Sequence, residues 1–321
     1  MITVTGAAGF IGSNLAQRLA ALGHDLLLVD HPLTAAKAAN WVGLRRFQFR
    51  QHDDFLDLLN RDQAPRLDGV FHLGACSRTT ETDETYLRIN NVEYTQALWS
   101  WCARHGCPFV YASSAATYGD GSQGFDDRLS SAALRPLNAY GRSKNDFDKW
   151  ALAQVEAGEP APPRWAGLKF FNVYGPREAH KSGMASVVWH AWRQARESGE
   201  VRLFRSTHPD YPDGGQRRDF VYVEDCVDHM LWLWQNADAR GLYNSGTGGA
   251  RTFRELAEAV FAALNRTSEI RYIDMPKTLA GQYQNFTQAD MSKLRGAGYT
   301  VPPTSLEEGV RCCVAAYETL S

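Results

Sequence analysis

The chain has 321 residues, beyond the size at which one hydrophobic core usually stops growing, so two lobes are expected. Hydrophobic content of 44% and charge of 22% are ordinary for a globular protein, and a formal net charge of −2 gives no electrostatic reason to propose nucleic acid. No apolar run approaches the roughly 18 residues of a membrane span, and no basic segment precedes the first apolar run as in a signal peptide, so the cytoplasm is the expected location.

Residues 2–5 (ITVT) form a short β-rich run, followed by Gly6, Gly9 and Gly12 at the head of a helix. Its apolar positions Ile11, Leu15, Leu19 and Leu22 recur at spacings of three and four, and Gly23 suits its end. DLLLVD (25–30) reads as a strand of the fully buried parallel kind. Further strands are expected at 47–50, 69–74 and 108–114, with helical stretches between them, and one more at 165–175 after the loop segment EAGEPAPPR. The rhythm then loosens: a helix at 184–199, a short strand at 201–204, a Pro/Gly/Asp-rich loop at 207–216, a strand running into a helix at 219–234, and a helix at 252–264. Alternating strands and helices imply right-handed crossovers. The expected fold is α/β: a Rossmann-like doubly wound parallel sheet with a smaller C-terminal α/β substrate lobe. The expected division is 1–172 with about 219–246 for the sheet domain, and 173–218 with 247–321 for the lobe. The six cysteines, Cys76, Cys102, Cys107, Cys226, Cys312 and Cys313, contain no CxxC pair and no zinc-spaced cluster. They are expected to be reduced, mostly buried thiols, with no metal site.

The glycine loop at the turn from strand to helix permits close backbone approach to a pyrophosphate, and the helix N-terminus adds free N–H groups and partial positive charge. The spacing is GxxGxxG rather than the commoner GxGxxG. Asp30 closes the second strand, where an acid binds ribose hydroxyls and favours NAD, whereas Lys37 can reach a 2′-phosphate and favours NADP. The residues leave both open. Farther on, Tyr140 and Lys144 stand four apart in AYGRSK and share one helix face. A phenol with a pKa near 10 is a poor base at neutral pH, and a neighbouring ammonium would lower that value. Lys144 can also hold the nicotinamide ribose. Ser114, ending the strand at 108–114, can polarise a substrate oxygen.

TGAAGFIGSN, SSAATYG and YGRSK together resemble the extended short-chain dehydrogenase/reductase family, whose members use NAD(P) and often act on nucleotide sugars. HLGACSRTTETD, PLNAYGRSK, KFFNVYGPREAHKSGMASV, RRDFVYVED and GQYQNFTQADMSKLRGAGY narrow the resemblance, nearly end to end, to the ADP-L-glycero-D-manno-heptose 6-epimerases. That resemblance implies an isomerase with tightly held NADP that oxidises C6″ of an ADP-heptose and returns the hydride to the other face, for the lipopolysaccharide core. It implies two acid–base residues, Tyr140 and Lys181. It also implies a homo-oligomer, with a pentamer as one candidate.

The same resemblance assigns Phe10, Ile11, His31, Lys37, Leu73, Gly74, Ala75, Cys76, Ser77, Asn90, Val173 and Lys181 to the cofactor. It assigns Asn172, His190, Phe204, Arg205, Ser206, Arg218 and Tyr283 to the substrate, with Ser182 or Gly183 beside them. Arg218 suits a diphosphate. The chain departs from the family's pattern in reading HKSGM for HKGSM, in His52 where a lysine is usual, in Arg205 where an acid is usual, and in a longer 207–216 loop. Two rival functions stand beside it. A 4-epimerase or 4,6-dehydratase of the same superfamily is one, though Ser114-Ala115-Ala116 replaces the acid that dehydration needs. A non-catalytic NADP-binding regulator is the other, and it predicts a broken Tyr/Lys pair, whereas both residues are present.

Overall fold

The computed structural model describes residues 1–276 and 284–319. In chain order its first half contains β1 (Ile2–Thr5), α1 (Phe10–Ala21), β2 (Leu26–Asp30), α2 (Ala35–Ala38), β3 (Phe47–Gln51), α3 (His52–Asn60), β4 (Gly69–His72), α4 (Glu84–Leu87), α5 (Tyr94–Arg104), β5 (Phe109–Ser114), α6 (Ala139–Glu156) and β6 (Trp165–Phe170). There follow β7 (Asn172–Tyr174), α7 (Val187–Glu197), β8 (Val201–Phe204), β9 (Arg217–Arg218), β10 (Phe220–Tyr222), α8 (Val223–Gln235), β11 (Gly241–Ser245), β12 (Arg251–Thr252), α9 (Phe253–Ala263), β13 (Ile270–Ile273), α10 (Ser292–Gly296) and α11 (Leu306–Glu318). Among the described residues no helix is long and apolar enough to cross a membrane.

Seven parallel strands pair in the order β11-β6-β5-β4-β1-β2-β3, a Rossmann-like doubly wound sheet. The chain winds outward from β1 through β2 and β3, then returns to β4 and winds the other way. The switch point is therefore between β1 and β4, where ligands bind beyond the strand ends in such sheets. β1, β2 and β4 are buried along their whole length, which is why they read as continuous apolar runs. One apolar layer packs α1 and α8 on one face, with Leu15, Leu19, Val227 and Met230 fully buried. The other face carries Phe55, Leu98, Trp99 and Phe147 from α3, α5 and α6. A third cluster, away from the sheet, joins Val188 and Trp192 of α7 with Leu256 and Val260 of α9 and Val310 and Tyr317 of α11. All six cysteines are free; five are buried and Cys312 is half-buried.

The single strand expected at 165–175 is two strands. β6 ends at Phe170, paired with Ser245, and the Asn172 amide then donates to the Asp219 carbonyl, so β7 pairs with β10 outside the sheet. An unbroken apolar run carries no signal of a change of partner. The helix expected from 184 starts at Val187, because the Ser186 hydroxyl accepts from the Trp189 amide and ends the preceding turn.

Beneath the sheet's carboxyl edge lies a buried ion pair. Lys169 Nζ of β6 donates to Asp148 Oδ2 of α6 at 3.0 Å and to Thr117 Oγ1 at 2.7 Å. Asp148 also accepts from the Tyr111 and Ser113 hydroxyls at 2.8 and 2.7 Å. Side-chain exposure is 1% for Lys169 and 0% for Asp148. Removing the lysine leaves a buried carboxylate without its directly bonded counter-ion, which costs more than the pair itself contributes. Lys169→Met is expected to lower stability by about 3–5 kcal/mol, read as a lower urea midpoint at unchanged slope. A loss below about 1 kcal/mol would show the pair to be dispensable.

Candidate functional site

The cleft begins at the β1–α1 turn. Gly6 has φ +63°, and a Cβ there would sit 2.6 Å from the Gly74 amide nitrogen. Only glycine lets the loops after β1 and β4 meet this closely. The loop is held from behind: Trp41 Nε1 donates to the Ala7 carbonyl at 2.8 Å and Asn40 Nδ2 to the Ala8 carbonyl at 2.9 Å. The helix N-cap is Gly9, which has no side chain to accept from the first turn, so Phe10, Ile11 and Gly12 head α1 with no capping group from that residue. A glycine turn without side-chain cover, leading into a helix N-terminus at the switch point, fits the diphosphate of a dinucleotide.

At the end of β2, Asp30 is nearly buried and heavily engaged. It accepts from the Ala8 amide at 2.9 Å, from the His31 amide at 2.9 Å and from Lys37 Nζ at 2.7 Å. Leu73, Gly74 and Ala75 are half-buried at the end of β4, Cys76 is buried and Ser77 is exposed. Asn90, expected at the cofactor, donates to the Tyr86 carbonyl at 2.8 Å. Its neighbour Asn91 is the buried one: it accepts from the Cys76 amide, donates to the Cys76 carbonyl and donates to Ser143 Oγ, at 2.8, 3.0 and 2.9 Å. Asn91 therefore holds the loop after β4 against α6, from within a wide π-helical turn at 88–93.

Ser114, Tyr140 and Lys144 come together where β5 ends against α6. Asn138 caps that helix by accepting from the Gly141 amide at 2.8 Å, which sets its first turn beside β5. Burial pushes the Tyr140 phenol above its usual value, and a hydrogen bond with Ser114 opposes the push. Lys144 Nζ donates to the Ala112 carbonyl at 2.9 Å. Burial brings Lys144 down to about 8, and Asp148, one turn along α6, opposes that fall. The ammonium therefore persists at neutral pH, one helical turn along from the phenol.

Lys181 reaches the cleft from a separate segment. Its ammonium lies over the Phe10 ring, 5.4 Å from the centroid. Burial lowers its pKa, with Glu178 opposing. The segment is docked onto the glycine-loop region by three contacts that sequence reasoning left without a role. Arg177 Nη1 donates to Asn14 Oδ1 at 2.9 Å, Asn14 Nδ2 donates to the Pro176 carbonyl at 3.0 Å, and His180 Nδ1 lies 3.1 Å from Asn40 Nδ2. Glu178, fully buried, accepts from the Ser186 amide and hydroxyl and from Tyr317 Oη of α11. The partners lie on α1, in the turn after α2 and on α11, so no local pattern could reveal them.

The residues expected at the substrate lie on several elements. Asn172 is exposed on β7, with Oδ1 accepting from Thr287 Oγ1 at 3.3 Å, and Val173 beside it is half-buried. His190 is half-buried on α7. Phe204 ends β8, Arg205 pairs with Asp274 at 2.9 Å, and the Ser206 amide donates to Asp213 Oδ1 at 2.9 Å. Arg218 is buried, its guanidinium over the Phe253 ring at 5.6 Å. Tyr283 lies outside the described residues. A cavity of about 610 Å³ lies elsewhere, between α6 and β11, lined by Leu152, Val155, Trp165, Leu242 and Lys293 among others.

Known proteins match this arrangement. A family model described as the NAD dependent epimerase/dehydratase family matches residues 2–246. A Nitratidesulfovibrio vulgaris protein named ADP-L-glycero-D-manno-heptose-6-epimerase is 49% identical over 320 residues, covering 99% of this chain and 98% of that one. The crystal structure of Helicobacter pylori ADP-L-glycero-D-manno-heptose-6-epimerase matches with a TM-score of 0.82 at 28% identity, covering 99% of this chain and 96% of that one. A Thermus thermophilus UDP-glucose 4-epimerase in complex with NAD reaches 0.79 at 26% identity, covering 100% and 99%.

In the Lys181 turn, Ser182 has φ +50° and ψ −123°, and Gly183 beside it has open space around its Cβ position. The left-handed position thus carries serine, where the HKGSM order of the resembling family would put glycine. A side chain there is strained. Ser182→Gly is expected to stabilise the protein by about 1 kcal/mol, seen as a higher thermal midpoint, whereas Ser182→Ala keeps the strain and gains nothing.

Proposed function

The chain belongs to the NAD dependent epimerase/dehydratase family, and we propose that within it the protein interconverts ADP-D-glycero-β-D-manno-heptose and ADP-L-glycero-β-D-manno-heptose by transient oxidation at C6″. Near full-length identity of 49% to an epimerase of that name carries the reading. The arrangement of Tyr140 and Lys181 on separate segments supports a two-base mechanism.

Tyr140, steadied by Ser114, exchanges the proton of the C6″ hydroxyl on one side. Lys144 keeps a positive charge beside the phenol at neutral pH, which favours its deprotonated form when the proton leaves. Lys181, desolvated on the Phe10 side of the cleft, does the same work for the other epimer. Two bases are needed because the two epimers present their hydroxyls in different directions. The bound dinucleotide supplies the hydride acceptor and donor. Gly6, Gly9, Phe10, Ile11 and Gly12 would hold its diphosphate, and Leu73 to Ser77 with Val173 would line its path. We take it to be NADP: Asp30 already accepts three hydrogen bonds, which leaves it poorly placed to serve ribose hydroxyls, and Lys37 stands beside it. In this reading residues 1–172 with about 219–246 hold the cofactor and 173–218 with 247–321 the sugar. A cytoplasmic, homo-oligomeric enzyme acting for the lipopolysaccharide core belongs to the same reading and rests on the family resemblance.

Incubating the purified protein with ADP-D-glycero-β-D-manno-heptose is expected to yield the L-glycero epimer by NMR; turnover of a UDP-hexose instead would sink the assignment. Lys181→Met is expected to slow interconversion by at least about 10²-fold, and near wild-type rates would return Lys181 to an ordinary loop charge.

A further inference from the structure

The chemistry above makes no use of a column of rings beside Asp30. His31, in the loop after β2, stacks on His52 at the start of α3, with ring centroids 4.6 Å apart and planes 24° apart. His52 stacks in turn on Tyr94 of α5 at 3.8 Å and 19°. The column runs from the core to solvent: Tyr94 is buried, the His52 side chain is 16% exposed and His31 is exposed. The acid at the end of the second strand marks the 2′ position of the adenosine ribose in a dinucleotide fold. Here that acid is neutralised by Lys37, and two imidazoles stand next to it.

We propose that His31 and His52 form a proton-linked specificity pair for the 2′-phosphate, so that binding NADP, unlike binding NAD, takes up a proton onto the stacked imidazoles. This deepens the NADP reading above and rests on it.

The charges around the pair explain why the proton arrives with the phosphate. Asp30 and Asp53 favour the charged imidazole, and His52 Nδ1 lies 2.9 Å from Asp53 Oδ1. Burial opposes them, as do Lys37 and the like charge of the stacked neighbour, and together these lower His31. His72 of β4, deeply buried beyond Tyr94, is held neutral largely by its own burial, and Tyr94 is neutral for the same reason. His180, near Lys37 and Asp30, is also lowered by burial. Burial above all thus holds His31 below its usual value until a phosphate stands beside it. A phosphate dianion is a strong acceptor and stabilises an imidazolium at contact distance. One added proton is enough, because two charged rings stacked face to face would repel.

The 2′-phosphate loses its second proton near pH 6, so the linkage is read above about pH 6.5. The full chain is equilibrated with equimolar NADP and NAD from about pH 6.5 to 8.5 until the partition is constant. Bound nucleotides are then released by denaturation and quantified by mass spectrometry. The bound NADP:NAD ratio is expected to fall as pH rises, by up to about tenfold per unit for one linked proton. His52→Lys, charged throughout this range, should abolish the slope and keep the ratio high. His52→Gln should abolish the slope and lower the ratio. A ratio favouring NADP equally at every pH overturns the proton linkage and leaves the NADP reading standing. So does a wild-type slope that survives in both His52→Gln and His31→Gln. NAD in excess at every pH, in wild type and His52→Lys alike, overturns the NADP reading as well.

Discussion

The approach of the Gly6 turn to the backbone of Leu73 and Gly74 is the constraint on which the rest of the molecule depends. A single Cβ at residue 6 would meet the Gly74 nitrogen at 2.6 Å, so the ends of β1 and β4 can be neighbours only if residue 6 has no side chain. Those two strands flank the switch point of the sheet. Their closeness puts the head of α1, Asp30 and the loop after β4 around one cleft. The neighbouring β4–β5 pairing then carries Ser114 and α6 to the cleft's edge.

Burial is the second organising influence, and it acts in opposite directions on the groups of the site. It raises Tyr140 and lowers Lys144 and Lys181, in each case by penalising the charged form. Opposing contacts then decide how far each group moves: Ser114 for the tyrosine, Asp148 for Lys144 and Glu178 for Lys181. Asp148 links the site to the core, because the same carboxylate holds Lys169, Tyr111 and Ser113. The ion pair under the sheet and the ammonium beside the phenol therefore share one charge.

The turn carrying Lys181 is assembled from distant parts. Arg177 is held by α1, His180 by Asn40 and Glu178 by Tyr317 of the last helix. A turn held at three points can keep Ser182 in a left-handed conformation that an isolated loop would avoid. Strain of this kind survives only where the surroundings over-determine the backbone.

The amino-acid order by itself determined the alternating strands and helices, the glycine turn, Asp30 and the Tyr140–Lys144 pair. These are short-range matters: apolar periodicity, a missing side chain, and two residues one helical turn apart. It determined the family too, since the chain's motifs run nearly its whole length. Only the tertiary structure decided that 165–175 splits between two sheets, because Phe171 and Asn172 answer to Ser245 and Asp219. Only it set Asn91 against the loop after β4, stacked His31 on His52, and gave Arg177 and His180 partners. Each of these depends on groups brought together from separate elements of the chain, and no local pattern encodes a contact whose other half is elsewhere in the fold.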